Sequence, residues 1–427
     1  VRLTDDDTGS AQRSASLRVD NVPPVIDSLT LSPTPVREGE SVTLTGTFTD
    51  QGLSDTFTID VDWGNGVFVP YALSSVGSVA GGSGQFSITR PITDDHPSTG
   101  TPFDNFTVTV RVRDDDTGVG SATRALRVDN VAPVFGAVSV TPSVDEGGTV
   151  TLSGVFTDPG TDTFEFEVDW GDGSTQRLNL ATIGTFAGGS GQFSIPHQYR
   201  DDESGAQDDR YQIAYRLIDD DTGVATGTAS VLVRNVAPTP TTLTIAPIVI
   251  DENDTVTLDM LVGDLGLDDV LSVSIDWGDS SPLTQQSIGL SPAAFQATHR
   301  YRDDNPTATP QDVYTVNITV RDDDGGQFTQ QRQVTVRNVA PAQVSAGADR
   351  TVEVDKDATL SVTFSDVGTL DTHVVRWRVT DPLGTVSTVG GTAATGVNLP
   401  IDKAGRWTVT AIVEDDDTGQ GSDTMVL

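Results

Sequence analysis

The sequence contains no cysteine and only two lysines, Lys356 and Lys403, among its 427 residues. Disulfide scaffolds and cysteine-based metal sites are therefore excluded for this chain. No apolar run approaches the roughly 18 residues that a membrane-spanning helix requires. Basic residues number 25 against 62 acidic residues, and the net charge is -37. Such a surface repels phosphate groups and anionic lipids, which excludes nucleic acids and anionic membranes as partners.

The chain has a large excess of aspartate, with 53 Asp residues against 9 Glu residues. Solvation, or tolerance of high salt, could use either acid. Aspartate is favoured where a short carboxylate lies in a turn or binds a hard cation. A surface adapted to high salt would spread its charge over strands as well as loops, and it stays open as an alternative explanation.

The sequence is a tandem repeat with a unit of about 105 residues. The motif N-V-P-P or N-V-A-P recurs at spacings of 109, 105 and 103 residues, beginning at Asn21, Asn130, Asn235 and Asn338. Asp triplets followed by T-G or G-G recur with it, as do tryptophans at Trp63, Trp170, Trp277 and Trp377. These marks predict the last strands of a preceding module at 1–21. Four modules follow at 22–130, 131–235, 236–338 and 339–427, the fourth divergent and truncated in its last strand.

Each module has the sequence pattern of an all-β domain. Apolar residues alternate with polar ones at Val42, Leu44 and Phe48, and no stretch carries a convincing helical period. The run G-N-G at 64–66 and the run G-D-G at 171–173 follow strands and are typical of hairpin turns. About seven short strands per module favour an immunoglobulin-like sandwich. A propeller is the alternative, but the unit is too long for one blade.

The run V-D-W-G-D-G-S at 168–174 resembles the W-x-F-G-D-G hallmark of polycystic kidney disease (PKD) domains. H-Q-Y at 197–199 and H-R-Y at 299–301 resemble the H-x-Y motif of that family. The resemblance weakens in modules one and four. It implies tandem immunoglobulin-like β-sandwiches in an extracellular or surface protein. The linker V-D-N-V-A-P-V-F at 128–135 is similar to the calcium-binding linkers of cadherins, which we take as an architectural analogy.

The strand order of such a sandwich predicts which acids meet between neighbouring modules. The Asp triplets in the F–G loop and the Asp after strand B face the preceding module: Asp50, Asp114, Asp115, Asp116, Asp158, Asp219, Asp220, Asp221, Asp264, Asp322, Asp323, Asp324, Asp366, Asp415, Asp416 and Asp417. Acids of the A–B and E–F turns face the following module: Glu38, Asp94, Asp95, Glu146, Asp201, Asp202, Glu252, Asp303 and Asp304. The linkers add Asp20, Asn21, Asp129, Asn130, Asn235 and Asn338.

These oxygen-rich sets predict a metal ion, and we expect Ca²⁺. Two like unit charges 4 Å apart repel by about 4 kcal/mol at an effective dielectric constant near 20. Ca²⁺ accepts six to eight oxygen ligands in flexible geometry, whereas Zn²⁺ prefers His and Cys. The triplets lack the alternating acids of an EF-hand loop. The tryptophans are expected in the core, and His197 and His299 are expected to form hydrogen bonds in strands.

We therefore expect a non-enzymatic stalk, surface filament or adhesin segment, extracellular or on a bacterial or archaeal cell surface. No catalytic motif such as G-x-S-x-G or H-E-x-x-H occurs. Four modules in line would form a rod of about 160 Å. Expected partners are neighbouring copies of the protein, or another surface protein or polysaccharide. The alternative is a spacer or carbohydrate-binding array of a secreted hydrolase, and assembly through partial end modules is a further possibility.

Overall fold

A computed structural model describes residues 1–95, 100–203, 205–392 and 396–427. Contacts divide the chain into two compact units. The first comprises Val1–Pro142, Val150–His197 and Tyr211–Val231, and the second comprises Ser143–Thr149, Gln198–Arg210 and Leu232–Leu427. Each of the acidic clusters treated below lies within one unit. The predicted module boundaries stay predictions, but the sheets fall within them.

The chain begins with a short exposed hairpin, and the first full sandwich follows it. The hairpin comprises β1 (Arg2–Thr4) and β2 (Ser10–Gln12). Module one contains β3 (Val25–Ser32), β4 (Val36–Arg37), β5 (Ser41–Thr49), β6 (Phe57–Asp62), β7 (Phe68–Ala72), α1 (Leu73–Val76), β8 (Gly77–Ala80), β9 (Ser83–Pro91), β10 (Phe103–Asp114) and β11 (Val119–Asp129).

The two sheets of module one have the order β3-β5-β9-β8 and β4-β11-β10-β6-β7. In immunoglobulin lettering these sheets are A-B-E-D and A′-G-F-C-C′, which confirms the predicted sandwich and rules out the propeller. Alternate residues of β5 point inward, so Val42, Leu44 and Phe48 are fully buried as the sequence predicts. The described residues give nine strands, more than the predicted seven, because the short A′ and C′ strands also pair.

Module two repeats this arrangement. It contains β12 (Val134–Val140), β13 (Ser143–Asp145), β14 (Thr149–Thr157), β15 (Phe164–Asp169), β16 (Thr175–Asn179), α2 (Leu180–Ile183), β17 (Gly184–Ala187), β18 (Ser190–Gln198), β19 (Asp208–Asp219) and β20 (Val224–Arg234). Its sheets have the order β12-β14-β18-β17 and β13-β20-β19-β15-β16. The single-turn helices α1 and α2 were not predicted, since four residues are too short to show a helical period.

Module three contains β21 (Thr239–Ala246), β22 (Val249–Asp251), β23 (Thr255–Gly263), β24 (Leu271–Asp276), β25 (Thr284–Gly289), β26 (Ala293–Arg300), β27 (Gln311–Arg321) and β28 (Gln327–Arg337). Module four contains β29 (Ala342–Ser345), β30 (Lys356–Ser361), β31 (Thr363–Ser365), β32 (His373–Thr380), β33 (Val386–Thr392), β34 (Gly396–Ile401), β35 (Thr408–Asp415) and β36 (Gln420–Val426).

The tryptophans in or directly after strand C lie in the cores, as predicted. Trp170, Trp277 and Trp377 are at most 1% exposed. The ring of His197 stacks on Trp170 at a centroid distance of 4.4 Å. Nε2 of the same histidine lies 2.6 Å from Oδ2 of Asp172 in the G-D-G turn. The histidine of the H-x-Y motif therefore packs on the core tryptophan and bonds to the aspartate of the G-D-G turn. His197 is thus a hydrogen-bonded strand residue, as the sequence predicts.

Candidate metal centre

The A–B turn places a glutamate at the end of each of the first three modules. In module one, β4 pairs in parallel with the end of β11, and the Glu38 amide donates to the Asp129 carbonyl at 3.1 Å. Oε1 of Glu38 accepts the Val131 amide at 2.7 Å, across the linker. Oε2 is buried without a donor. Glu146 and Glu252 repeat this geometry with Val236 and Val339 at 2.7 Å.

The B–C loop of the next module brings two aspartates to the free oxygen of Glu38. Oδ1 of Asp158 accepts the Gly160 amide at 2.8 Å, while its Oδ2 has no donor. Oδ2 of Asp162 also lacks a donor. Glu38, Asp158 and Asp162 each offer an oxygen, and these three oxygens lie within 4.8 Å of one another. We call this group the glutamate site.

A glycine leaves the space in which these oxygens converge. A Cβ built on Gly160 would lie 2.5 Å from Oε2 of Glu38 and 2.7 Å from the carboxylate oxygens of Asp162. Gly266 and Gly368 stand in the same relation to Asp269 and Asp371. The carboxylates therefore lie directly against these glycines, in space that any larger residue would need for its side chain.

Replacement of this glycine is the first test of the site. The change Gly160→Ala should weaken the binding of a cation about 10-fold to 100-fold, because the new methyl group displaces two ligands. Gly160 has no positive φ, so backbone strain does not complicate the change. The matched control is Gly263→Ala, whose Cβ would meet its nearest atom at 3.6 Å. Calorimetric titration of both variants with Ca²⁺ measures the effect, and equal affinities would contradict it.

The three residues of an Asp triplet have three different roles. Oδ1 of Asp219 accepts the amides of Asp221 and Gly223 at 3.0 and 2.6 Å, which closes the F–G loop on itself. Oδ1 of Asp220 accepts the Thr163 amide at 3.0 Å. Asp221 is fully buried, and its Oδ1 accepts the Gly100 amide of the preceding module at 3.1 Å. The third residue of the triplet therefore bonds to a loop of the preceding module.

The linker asparagine fixes the triplet in module two and again in module four. Nδ2 of Asn130 donates to Oδ2 of Asp219 at 3.1 Å, and Nδ2 of Asn338 donates to Oδ2 of Asp415 at 3.0 Å. Asn21 makes the same bond to Asp114 at 2.9 Å. These asparagines position the loop through Nδ2, while Oδ1 of Asn130 and Oδ1 of Asn338 are buried without a hydrogen-bond partner.

The E–F turn supplies a second acidic pair from the preceding module. Oδ2 of Asp94 accepts the Thr161 hydroxyl of the next module at 2.6 Å. Asp95 is fully buried, and neither of its carboxylate oxygens has a donor. Asp95 forms a second group with Asp104 and Asp221, again within 4.8 Å. We call this group the aspartate site.

Burial and like charge raise the pKa of the glutamate at each of the three junctions. Burial raises the pKa of Glu38 to about 8 against the opposing Val131 amide, and Asp158, Asp95 and Asp94 raise it further. The pKa of Glu146 is raised to about 8 and that of Glu252 to about 7 for the same reasons. Without a cation these carboxylates therefore hold protons near neutral pH.

Some predicted ligands lie outside these clusters. Asp20 and Asp129 form ion pairs with Arg18 and Arg127, two residues before them. The middle residue of each triplet accepts a backbone amide at the start of strand C, as Asp115, Asp323 and Asp416 show. Asp116 is exposed to solvent. Asp50 and Asp114 form a separate group of possible metal ligands with Asp55.

The remaining predicted ligands gather in two further junctions. Glu146, Asp202, Asp264, Asp322 and Asp324 are buried or half-buried around the second linker, as is Asp201. Glu252, Asp303, Asp304, Asp366, Asp415 and Asp417 are buried or half-buried around the third. Both side-chain polar atoms of Asn235, in the second linker, are buried without a partner. The set formed by an A–B turn glutamate, an E–F turn Asp pair and an F–G loop Asp triplet thus occurs at three junctions.

Two sets of acids were missed by the sequence reasoning. The first is the second Asp of the B–C loop: Asp55, Asp162, Asp269 and Asp371. It follows the first Asp in a D-x-G pattern that recurs in every module, and this recurrence could have revealed it. The second set lies at the start of strand F, where Asp104 has its counterparts in Asp209 and Asp312. His373 was also unplaced, and it joins Asp366 and Asp371 in one group.

The far end of module four differs from the other three. The Asp355 amide donates to the Ile401 carbonyl at 2.8 Å, just as the Gly39 amide donates to the Ile92 carbonyl at 2.7 Å. This register places Val354, Lys403 and Ala404 where module one has Glu38, Asp94 and Asp95. Lys403 pairs with Asp381 at 2.5 Å. The acidic end of the other modules is therefore replaced here.

Comparisons with known proteins give distant likenesses. No family model and no curated protein matches the chain. A tetra-tandem repeat from the extending region of a large adhesion protein is 15% identical, with a TM-score of 0.43, over 95% of this chain and 97% of that one. Sidekick-1 immunoglobulin domains 1–5 are 12% identical, with a TM-score of 0.32, over 93% and 80%. An ICAM-5 ectodomain fragment is 15% identical, with a TM-score of 0.31, over 95% and 99%.

Among the described residues, neither helix is long and apolar enough to cross a membrane.

Proposed function

We propose that the chain is a structural or adhesive segment of an extracellular or cell-surface protein, in which Ca²⁺ fastens each module to the next. One observation carries this proposal. Oε2 of Glu38 and Oδ2 of Asp158, from two successive modules, are buried together without a hydrogen-bond donor. A buried acceptor without a partner costs about 1–3 kcal/mol, and more when it is charged. A bound cation removes that cost.

The donor set favours Ca²⁺ over other common metals. All the converging atoms of the glutamate and aspartate sites at the first full junction are carboxylate oxygens, which suits a hard cation. Ca²⁺ accepts many carboxylate oxygens at variable angles, whereas Mg²⁺ demands near-octahedral geometry and keeps several waters. Here the carboxylates come from the end of a strand and from a loop. Such an arrangement fits the variable coordination angles of Ca²⁺ more readily than the octahedral geometry of Mg²⁺.

Calcium in this position would act on the joint more than on the sandwich. The glutamate follows the A′ strand of one module, and the two aspartates lie in the B–C loop of the next. A cation held by all three would order the linker between Asn130 and Val131 and the surrounding loops. Extracellular calcium modules bind with dissociation constants of roughly 0.1–1 mM. Ion binding of that strength would be saturated outside a cell and lost inside it.

The alternative is a carbohydrate-binding spacer of a secreted hydrolase. Binding of this kind uses aromatic rings that are open to solvent, because sugars stack on them. All 26 aromatic residues lie in the described part of the chain, and none of them is among its exposed large apolar residues. This observation favours the structural segment, whose partners would be neighbouring copies, another surface protein or a polysaccharide bound without stacking.

A charge-neutral double variant tests the proposed joint. The changes Glu38→Gln and Asp162→Asn should abolish ion binding by the glutamate site of the first full junction and leave the ions of the other two junctions in place. Both residues keep their size, so tryptophan fluorescence should report intact sandwiches.

The matched control is Asp5→Asn with Asp6→Asn, in the exposed triplet of the first hairpin. Calorimetric titration with Ca²⁺ should give the wild-type number of ions for this control. If the Glu38–Asp162 variant also binds that number, the ions lie elsewhere. An unselective acidic surface would then explain the composition.

A further inference from the structure

We infer that each junction holds two cations, one in the glutamate site and one in the aspartate site. This inference rests on the proposed calcium-bound joint and assigns its stoichiometry and geometry. At the first full junction the two sites are Glu38 with Asp158 and Asp162, and Asp95 with Asp104 and Asp221.

The two groups have no residue in common. Two oxygens on the same Ca²⁺ ion lie at most about 5 Å apart, because each bond measures about 2.3–2.6 Å. Each group meets this limit by itself, with its oxygens within 4.8 Å. A third group, comprising Glu38, Asp94 and Asp95, meets the same limit and joins the two sites. Asp94 therefore lies where it can bridge two neighbouring ions.

The aspartate site contains its own sign of a missing ligand. Asp95 is fully buried, and both of its carboxylate oxygens lack a donor. The equivalent residues Asp202 and Asp304 are also fully buried with both oxygens unpaired. The same unpaired, buried carboxylate thus recurs at three corresponding positions, and at the first of them it converges with Asp104 and Asp221.

Counterparts of Asp95 and Asp221 interact at the other two junctions, and a counterpart of Asp104 joins them at the second. The Asn130 amide donates to the Pro102 carbonyl at 3.2 Å, and the Asn235 amide donates to the Gln207 carbonyl at 2.9 Å. This register makes Asp209 the counterpart of Asp104. Asp324 and Asp209 are among the carboxylates that raise the pKa of Asp202. Asp417 has the same effect on the pKa of Asp304.

The charge at the junction also requires more than one dication. The two sites and the bridging Asp94 together contain seven carboxylates: Glu38, Asp94, Asp95, Asp104, Asp158, Asp162 and Asp221. One Ca²⁺ ion would leave most of that charge uncompensated in a buried region. Two ions, with protons on some of the remaining carboxylates, bring the balance much closer to neutrality.

Two ions give the joint a property that a single ion lacks. The glutamate site connects the A′ strand of one module to the B–C loop of the next. The aspartate site connects the E–F loop and strand F of the first module to the F–G loop of the second. One connection permits rotation about itself, whereas two separate connections resist it. Because an oxygen of Asp94 lies within 4.8 Å of oxygens of Glu38 and Asp95, one ligand from each site, we expect the first ion to favour binding of the second.

Single-site variants of the full chain separate the two ions. Asp162→Asn should remove one tightly bound Ca²⁺ ion, Asp104→Asn should remove another, and the double variant should remove two. Calorimetric titration and native mass spectrometry of chelator-stripped protein count the ions. Asp129→Asn is the matched control, because its side chain pairs with Arg127 outside both groups. Asp209→Asn replaces Asp104→Asn as the test at the second junction if the latter variant fails to fold.

The outcomes distinguish this inference from the proposed function. If the double variant loses only one ion, the junction has a single cation and the inference is wrong, while the calcium-bound joint stands. If Asp104→Asn binds the wild-type number of ions, the aspartate site is wrong in the same way. If the wild-type protein binds no Ca²⁺, both the inference and the proposed function fail.

Discussion

Removal of calcium should lower the unfolding temperature of the protein by about 10–20 °C. At about 10 mM Ca²⁺, which is 100 times a dissociation constant of about 0.1 mM, one ion stabilises the folded state by about 2.7 kcal/mol, provided that the unfolded chain does not bind it. For a domain the size of one module, each kcal/mol of stabilisation shifts the midpoint of thermal unfolding by about 4–8 °C. The ligands of one site come from two modules, so neither the unfolded chain nor a single folded module can reproduce the site.

Differential scanning calorimetry in Ca²⁺, in Mg²⁺ and in chelator measures this shift. Mg²⁺ at equal ionic strength controls for general screening of the charge of -37. The expected order of unfolding temperatures is Ca²⁺ well above Mg²⁺, and Mg²⁺ slightly above chelator. Equal values in Ca²⁺ and Mg²⁺ would mean that only screening operates, and the acids would then serve solvation or tolerance of high salt.

The second large effect is a loss of stability with rising pH in the absence of calcium. The pKa of Glu38 is raised from 4.5 to about 8 in the folded state, mainly by burial. The pKa of Glu146 reaches about 8 and that of Glu252 about 7 for the same reason. An acid with a raised folded-state pKa binds more protons in the folded state than in the unfolded state. Its stabilisation is complete below the unfolded pKa and is lost as the pH rises through the folded pKa.

Calcium should remove this dependence, because it replaces the protons on the same carboxylates. We expect calcium-free protein to unfold at a markedly lower temperature at pH 9 than at pH 5, with most of the loss between pH 5 and pH 8. Saturating Ca²⁺ should flatten the profile. The control is the triple variant Glu38→Gln, Glu146→Gln and Glu252→Gln, whose calcium-free profile should be flatter than that of the wild type.

Thermal unfolding of protein stripped on a chelating resin measures both profiles without a pH-sensitive chelator in solution. A calcium-free protein that becomes more stable between pH 5 and pH 8 would contradict the burial of these carboxylates. A triple variant with the wild-type slope would place the titrating groups elsewhere in the chain.

The sequence predicted the general location of the acids, because loop position in a sandwich follows from strand order. The repeat spacing and the alternation around Val42 were enough to define the strands. Given the strands, the A–B turn had to bring Glu38 to the linker, and the structure has its Oε1 on the Val131 amide. The two-unit division of contacts and the parallel A′–G pairing could not be predicted, since both depend on long-range packing.

Individual ligands were harder to predict than the junctions. Asp162 lies four residues after Asp158, whereas Asp55 lies five after Asp50, so a fixed spacing hides the recurrence. Asp104 is in a strand, where a polar residue usually means a solvent-facing position. Asp129 is predicted as a metal ligand because it directly precedes the linker asparagine. Its partner Arg127 lies two residues earlier, on the same face of the strand, and forms an ion pair with it.

Calorimetric titration of Ca²⁺ into the stripped wild-type protein tests the central claim most directly. We predict saturable binding of several ions at submillimolar to millimolar Ca²⁺, with full reversal by chelator and little heat from Mg²⁺. The number of ions should fall when Glu38 and Asp162 are replaced and should be unchanged when Asp5 and Asp6 are replaced. An absence of binding at millimolar Ca²⁺ would contradict the account, because the buried carboxylates of the three junctions would then have no cation.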